Sequence, residues 1–281
     1  MTKTTAVIND LSGFGKCSLT AAIAILSVMG IQPCPLPTAI LTNQTGYKNH
    51  YCYDFSEHMN FYTEMWLKNN AHFDGIYSGY IAGESQVDFI KKFIEVFKKS
   101  DTKVIVDPVM GDNGKLYSAY NKNTCDKIKE LAKTADIITP NLTELCILTG
   151  EDFNSVMKKS DSDFFFEYIE EVADKAIFHD NMKIAVTGIK KDGFIYNGVF
   201  EKGNADFLKS KEYGSSFSGT GDIFSSIICG SVLNNTTLSK AAYNATKFIE
   251  DVIKETIKEP YEKNHGIDFE KYLYKLAVYK E

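Results

Sequence analysis

The strongest chemical signal is the run Ser218-Gly219-Thr220-Gly221-Asp222, set directly ahead of the apolar stretch Ile223–Val232. Two glycines before a helix let the backbone approach an anion closely, and a helix N-terminus aims unpaired N–H groups at it. That arrangement suits a phosphoryl group in transfer. Asp222 would fall in the first turn, where the helix dipole keeps a carboxylate ionised and able to accept a proton from an attacking hydroxyl. A plain turn with an Asp stabilising a helix start has the same spelling, so the motif alone leaves both readings open.

A second acidic run, Asp107-Pro108-Val109-Met110-Gly111-Asp112-Asn113-Gly114, follows the apolar Lys103–Val106. Asp107 at a strand's carboxyl end and Asp112 in a Gly-bounded loop are placed to hold Mg²⁺ directly or through water, because Mg²⁺ takes few protein oxygens and completes its shell with phosphate. Ordinary Asp-Pro and Asp-Asn-Gly turn chemistry is the competing explanation. In Thr139-Pro140-Asn141-Leu142-Thr143-Glu144, the Asn141 and Glu144 spacing is that of a helix capping box, which suffices to explain it. The functional reading puts Glu144 beside a hydrated Mg²⁺.

The stretch Asn9-Asp10-Leu11-Ser12-Gly13-Phe14-Gly15-Lys16-Cys17-Ser18 imitates two nucleotide loops and matches neither. A Walker A loop needs Gly at the place of Asp10 and Ser or Thr at the place of Cys17, and the dinucleotide fingerprint needs Gly at the place of Ser18. What remains is a polar loop with Asp10 at the end of the first strand. A further polar loop, Thr42-Asn43-Gln44-Thr45-Gly46-Tyr47, and the run Tyr77-Ser78-Gly79-Tyr80 supply aromatic rings that either stack on a flat ligand or pack at a rim.

These loops need elements to position them. Short apolar strands are expected at Thr5–Ile8, Gly75–Tyr77, Lys103–Val106, Ile137–Thr139 and Ile184–Thr187. Between them fall helical stretches at Cys17–Met29 and near 54–69, 84–99, 121–134 and 161–179, with three more near 222–234, 238–258 and 268–276. Strands alternating with helices imply an α/β fold whose mostly parallel sheet is covered on both faces. Lys191-Asp192-Gly193 predicts one antiparallel hairpin. Ligands in such sheets gather at the carboxyl ends of strands, where the polar runs lie.

Composition narrows the partners. With no repeat and no linker in 281 residues, one domain over 1–281 is expected. The net charge of −6, without a basic run, gives no nucleic-acid footprint. No apolar run approaches membrane length and no signal peptide is evident, so a cytoplasmic protein is expected. The six cysteines are too scattered for a zinc or disulfide framework and read as buried free thiols. All 31 basic residues are Lys, so any phosphate must be gripped by Lys, backbone N–H groups or a metal, never by a guanidinium fork.

Taken together and in this order, the four loops resemble the ribokinase superfamily, and GTGD, DPVMGD and TPNLTE resemble its vitamin-kinase branch, above all the B6-vitamer kinases. The match runs from about Thr4 to about Glu250. The resemblance implies a ribokinase-like fold and transfer of the ATP γ-phosphoryl group to the 5′-hydroxymethyl of pyridoxal, pyridoxine or pyridoxamine. It makes Asp222 the catalytic base, with Gly219 and Gly221 shaping the anion hole and Thr220 between them at the ATP phosphates. It sets Asp107, Asp112, Thr139 and Glu144 toward phosphates and metal, and Thr187 near the nucleotide. Asp10, Thr45 and Tyr80 would surround the pyridine ring together with Asp222. It implies Mg²⁺, often K⁺, and a homodimer. Related readings are a hydroxymethylpyrimidine kinase and a non-catalytic vitamin-binding regulator. Two departures stand out. Asp10 replaces the family's usual Ser, and Leu11 and Gln44 replace His; a carboxylate beside the ring favours a positively charged acceptor. Only about 15 residues separate Thr38 from the helix near Asp54, too few for a sugar kinase's multi-stranded lid, so a reduced lid is expected.

Overall fold

The computed structural model describes residues 2–214 and 217–277. Six strands run parallel: β1 (Lys3–Ser12), β2 (Ile31–Leu41), β4 (Gly75–Ser78), β5 (Lys103–Val106), β8 (Ile137–Ile138) and β9 (Lys183–Lys191). Antiparallel β3 (Cys52–Asp54) finishes one edge, and β10 (Phe194–Glu201) with β11 (Asn204–Lys211) finishes the other. The sheet order is β11-β10-β9-β8-β5-β4-β1-β2-β3. A separate ribbon pairs β6 (Gly111–Asp112) with β7 (Lys115–Leu116).

Strand side chains alternate between faces, and the core divides accordingly. Ala6, Ile8, Ile76, Val104 and Val106 pack under α2 (Ser56–Lys68), α3 (Glu84–Phe97), α4 (Lys122–Ala132), α5 (Leu142–Thr149), α6 (Phe153–Met157) and α7 (Phe165–Asp174). Val7, Tyr77, Ile105 and Ile137 pack under α1 (Ser18–Val28), α8 (Thr220–Leu233), α9 (Leu238–Thr256) and a 3₁₀ helix, Phe269–Leu276. This is the mostly parallel, doubly covered α/β sheet expected. The same alternation, continued two residues past Val7, Ile105 and Ile137, aims Asn9, Asp107 and Thr139 at α8. Because β2 and β4 lie on opposite sides of β1, the chain changes direction across the sheet there and opens a crevice.

Several boundaries differ from the sequence expectations. β1 continues to Ser12, so Asp10 lies within the strand, beside an irregularity in its register with β2. β2 had no strand signature because it carries Pro33, Pro35 and Pro37; at alternate positions all three face the outer edge, where the missing N–H is not needed. The helix expected over 161–179 is only Phe165–Asp174, and the last helix is 3₁₀. The Asp192-Gly193 hairpin forms as expected, joining Lys191 to Phe194. The thiols are free, but Cys34 is half-buried and Cys52 exposed; only the other four are buried. The lid is indeed small: β3 has three residues. Among the described residues no helix is long and apolar enough to cross a membrane.

Candidate active site

The carboxyl ends of β1, β4, β5 and β8 meet the N-terminus of α8. That helix begins two residues earlier than the glycine pattern suggested: Gly219 is its N-cap, while Thr220 and Gly221 already belong to the first turn. Gly219 has φ +81°, and a Cβ there would lie 2.1 Å from the Lys16 carbonyl oxygen, so both conformation and space demand glycine. Among the described residues no side chain caps this helix, leaving its first N–H groups for a ligand.

Asp222 sits in that first turn. The Asn9 amide donates to its Oδ1 at 3.1 Å, and the nearby Ser18 backbone N–H also favours the charged carboxylate. Its carboxyl lies deep among protein atoms but keeps an opening to the cleft. Burial pushes it up to about 6; the Ser18 N–H opposes this, the charge of Asp10 adds to it, and the Asn9 bond opposes it. Ser18 holds its N–H in place with φ 52°, an unusual backbone state for a non-glycine residue. Asn9 is fully buried and uses its other end as well, its Oδ1 accepting from the Asp10 and Tyr80 N–H groups at 2.9 and 2.8 Å. Gly79 makes room for it, since a Cβ there would come within 2.5 Å of the amide nitrogen. Sequence reasoning quoted Asn9 without giving it a role.

Ser225, one turn beyond Asp222 on the same helix face, was also missed. Its hydroxyl donates to Asp107 Oδ2 at 2.9 Å and accepts from the Thr139 hydroxyl at 2.8 Å. The chain Thr139–Ser225–Asp107 thus ties two strand ends to α8. Asp107 is buried, which raises its pKa well above the ordinary value; the charges of Glu144 and Asp222 raise it further, and Ser225 opposes them.

Glu144 completes the expected capping box: Asn141 Oδ1 accepts from the Glu144 N–H at 3.0 Å, and Glu144 Oε2 accepts from the Asn141 N–H at 2.8 Å. Its other oxygen accepts from the Met110 N–H at 3.0 Å, which stitches the DPVMGD loop to α5. Burial pushes its pKa up to about 8, against the backbone bonds from Asn141, Met110 and Gly111. Asp112 is bound up in its own turn, bonding the Asn113 backbone and side-chain nitrogens at 2.8 and 2.7 Å. Asp107, Asp112 and Glu144 therefore do not converge as a ready-made cage, and among the described residues no group of three potential ligands does.

The remaining expected residues are more peripheral. Asp10 is buried and takes the Ser12 hydroxyl at 2.8 Å; burial raises its pKa, with Ser18 and Ser12 opposing. Tyr80 lines the same side, its hydroxyl pushed up to about 12 by burial and by nearby Cys52, Asp10 and Asp54. Thr187 is half-buried and bridges to Asn141 across the sheet. Thr45 lies exposed in a turn and bonds none of these groups. Lys16 does not point to the anion site; its ammonium pairs with Asp268 and Glu270. Among the described residues, none of Asp10, Asp107, Asp112, Glu144 and Asp222 forms a salt bridge. The cleft is thus an acidic surface whose positive partners must arrive with the ligands.

Comparison with known proteins agrees with this geometry. A Bacteroides thetaiotaomicron protein classed with the phosphomethylpyrimidine kinases, crystallised with pyridoxal, is 33% identical with a TM-score of 0.90, over 99% of this chain and 96% of its own. The pyridoxal kinase of Dictyostelium discoideum is 25% identical over 253 residues, covering 86% of this chain and 81% of its own. The pyridoxal kinase structure from Lactobacillus plantarum shares the fold, with a TM-score of 0.87 at 24% identity, over 98% of this chain and 97% of its own. The sequence profile of the phosphomethylpyrimidine kinase family matches residues 15–267, and the chain belongs to that family.

Proposed function

We propose that the chain, acting as one kinase domain, transfers the γ-phosphoryl group of ATP to the 5′-hydroxymethyl group of a B6 vitamer. The observation that carries this is Asp222, held by Asn9 near the Ser18 N–H in the first turn of α8 and open to the cleft. Its carboxylate takes the acceptor's hydroxyl proton, the oxygen attacks the γ-phosphorus, and the bond to ADP breaks. The N–H groups at the start of α8 face the transferring oxygens and stabilise their charge. A chain without Arg depends on such backbone donors. The unpaired acidic cluster fits Mg²⁺, which when bound neutralises phosphate charge. Asp107 and Glu144, with Asp112 at the rim, would hold it through its water shell, since their oxygens already carry other bonds.

Asp10 supports pyridoxamine as the preferred acceptor. A buried carboxylate without a cation gains most from an ammonium group, and a charge-assisted bond is worth about 1.5–3 kcal/mol, roughly ten- to hundredfold in kcat/KM. Asp10→Ser is expected to narrow the pyridoxamine-to-pyridoxal ratio by about that factor. Identical ratios in both proteins would remove the charge argument and leave the kinase reading standing.

Hydroxymethylpyrimidine is the second reading, favoured by the family to which the chain belongs. ATP consumption measured with the three vitamers and hydroxymethylpyrimidine decides between them, and exchanging K⁺ for Na⁺ reads monovalent dependence. A higher kcat/KM on the pyrimidine overturns the vitamer assignment, and no turnover with any of the four leaves a vitamin-binding regulator. The exposed Tyr53 and Phe61, both beside His58, and the exposed Met65 one turn beyond Phe61 support a homodimer, which sedimentation of wild type and Phe61→Glu tests.

A further inference from the structure

The segment 262–270 lies outside every motif that the sequence signalled, yet it touches three loops of the cleft. Its Lys263 carbonyl accepts from the Ser218 N–H at 3.2 Å, beside the anion-binding turn. The His265 carbonyl accepts from the Lys16 N–H at 3.1 Å. Asn264 grips the polar loop after β2 with both backbone and side chain: its backbone carbonyl accepts from Gln44 Nε2 at 2.8 Å, and its Nδ2 donates to the Gly46 carbonyl at 3.1 Å. The Lys16 ammonium closes the bracket by pairing with Asp268 and, at 3.0 Å, with Glu270. Its side chain is 16% exposed, while the side chains of Asp268 and Glu270 are 39% and 50% exposed. Burial disfavours the Lys16 charge, and the bonds to Asp268 and Glu270 more than restore it.

Lys16 also contacts the anion turn directly. Its carbonyl oxygen is the atom that forbids a side chain at Gly219. From these contacts we infer that Lys16 is a positioning residue, and that 262–270 is a bracket through which the acceptor loop at 42–47 and the phosphate turn at 217–219 are held in register. This rests on the kinase reading for its kinetic consequence but not for its geometric one. Lys16 touches no reacting atom; its ammonium fixes the backbone whose carbonyl fixes Gly219. The arrangement accounts for a Gly-Lys pair that imitates a phosphate-binding loop while its charge is turned away from the phosphate site.

Lys16→Met keeps the aliphatic stem and removes the ion pair, while Lys16→Arg keeps it. Amide hydrogen exchange on the full chain reads the bracket itself. In Lys16→Met the amides of Ser218 and Gln44, on opposite sides of the cleft, are expected to exchange at least about tenfold faster, with Asp107 unchanged and Lys16→Arg close to wild type. In the kinase assay kcat is expected to fall about tenfold in Lys16→Met, against less than about threefold in KM for ATP, and to recover in Lys16→Arg. Unchanged exchange at both amides, or loosening at only one, overturns the bracket whatever the activity. Loosened exchange with an unchanged kcat overturns the positioning role. A wild type that consumes no ATP while Lys16→Met still loosens both amides rejects the kinase reading and retains the bracket.

Discussion

Two helices start at the cleft from opposite faces of the sheet, and they treat their N-termini in opposite ways. At α5, Asn141 and Glu144 bond each other's backbone in a complete capping box. At α8, the N-cap is a left-handed glycine, and no side chain among the described residues bonds the backbone N–H groups of the first turn. A helix end satisfied from within is a structural joint, whereas one left open in a cleft is a receptor for an anion. The carboxylates follow the same division. Glu144 spends both oxygens on backbone N–H groups and locks a loop, while Asp222 is held by Asn9 near the Ser18 N–H and still faces the cleft.

The largest effect expected to sharpen this contrast is at Asp222. Asp222→Asn is expected to lower kcat by about 10² to 10⁴ with the melting temperature and vitamer binding nearly unchanged. In wild type kcat/KM should fall as pH drops through about 6, because a base must be ionised, and the residual activity of the variant should lack that limb. Near wild-type turnover in Asp222→Asn would end the proposed mechanism.

Glycine substitutions compare an anion-facing helix start with an ordinary helix stop. Gly219→Ala meets the Lys16 carbonyl and is expected to cost about 10² in kcat, the scale of a lost oxyanion donor. Gly150, the C-cap of α5, has φ +79° with nothing within 4 Å, so Gly150→Ala should cost about 1 kcal/mol of stability and no activity. Equal kinetic losses in the two variants would erase the distinction between the helix ends.

Glu144→Gln is the smallest and finest test. Sequence logic says that a capping box tolerates Gln at this position, but both oxygens here face N–H donors, and an amide nitrogen, unlike either oxygen of a carboxylate or a protonated carboxyl, has no lone pair with which to accept. A stability loss of about 1–3 kcal/mol is expected at pH 5, together with a higher Mg²⁺ requirement. The folded Glu144 value near 8 lies above its ordinary 4.5, so its contribution is present below pH 4.5 and is lost as pH rises toward 8. The gap in melting temperature between metal-free wild type and Glu144→Gln should therefore narrow over that range. A constant gap and an unaltered Mg²⁺ requirement would make Glu144 a cap alone.

Legibility in the sequence followed locality. Asp222 and Glu144 were readable because a helix start is written in consecutive residues, and Asp107 and Thr139 because they end apolar runs. Asn9 and Ser225 were not, since their roles exist only across the sheet: Asn9 is 213 positions from Asp222, and Ser225 is 118 from Asp107. Ser225 left one faint trace, standing three residues after Asp222 and so on its helix face. The ion-pair bracket at Lys16 spans 252 positions and left none. β2 was invisible for another reason: three prolines argue against a strand unless it is known to lie near an edge. Asp112 shows how a local reading stops short: its oxygens also serve its own turn, which its spelling alone did not reveal.

Those prolines have a consequence for the molecule's social behaviour. Exposed strand flanks recruit other chains by offering a row of amide donors, the first step toward swapped strands and fibrils. Along Pro33–Pro37 that row is blank at every second residue on the outward side, and just beyond it, at Ala39–Leu41, β3 occupies the flank. A passing strand would find acceptors but almost no donors. The longest strand of the sheet is thereby made sterile on its outer side, and a fold rich in parallel strands is kept from self-templating there.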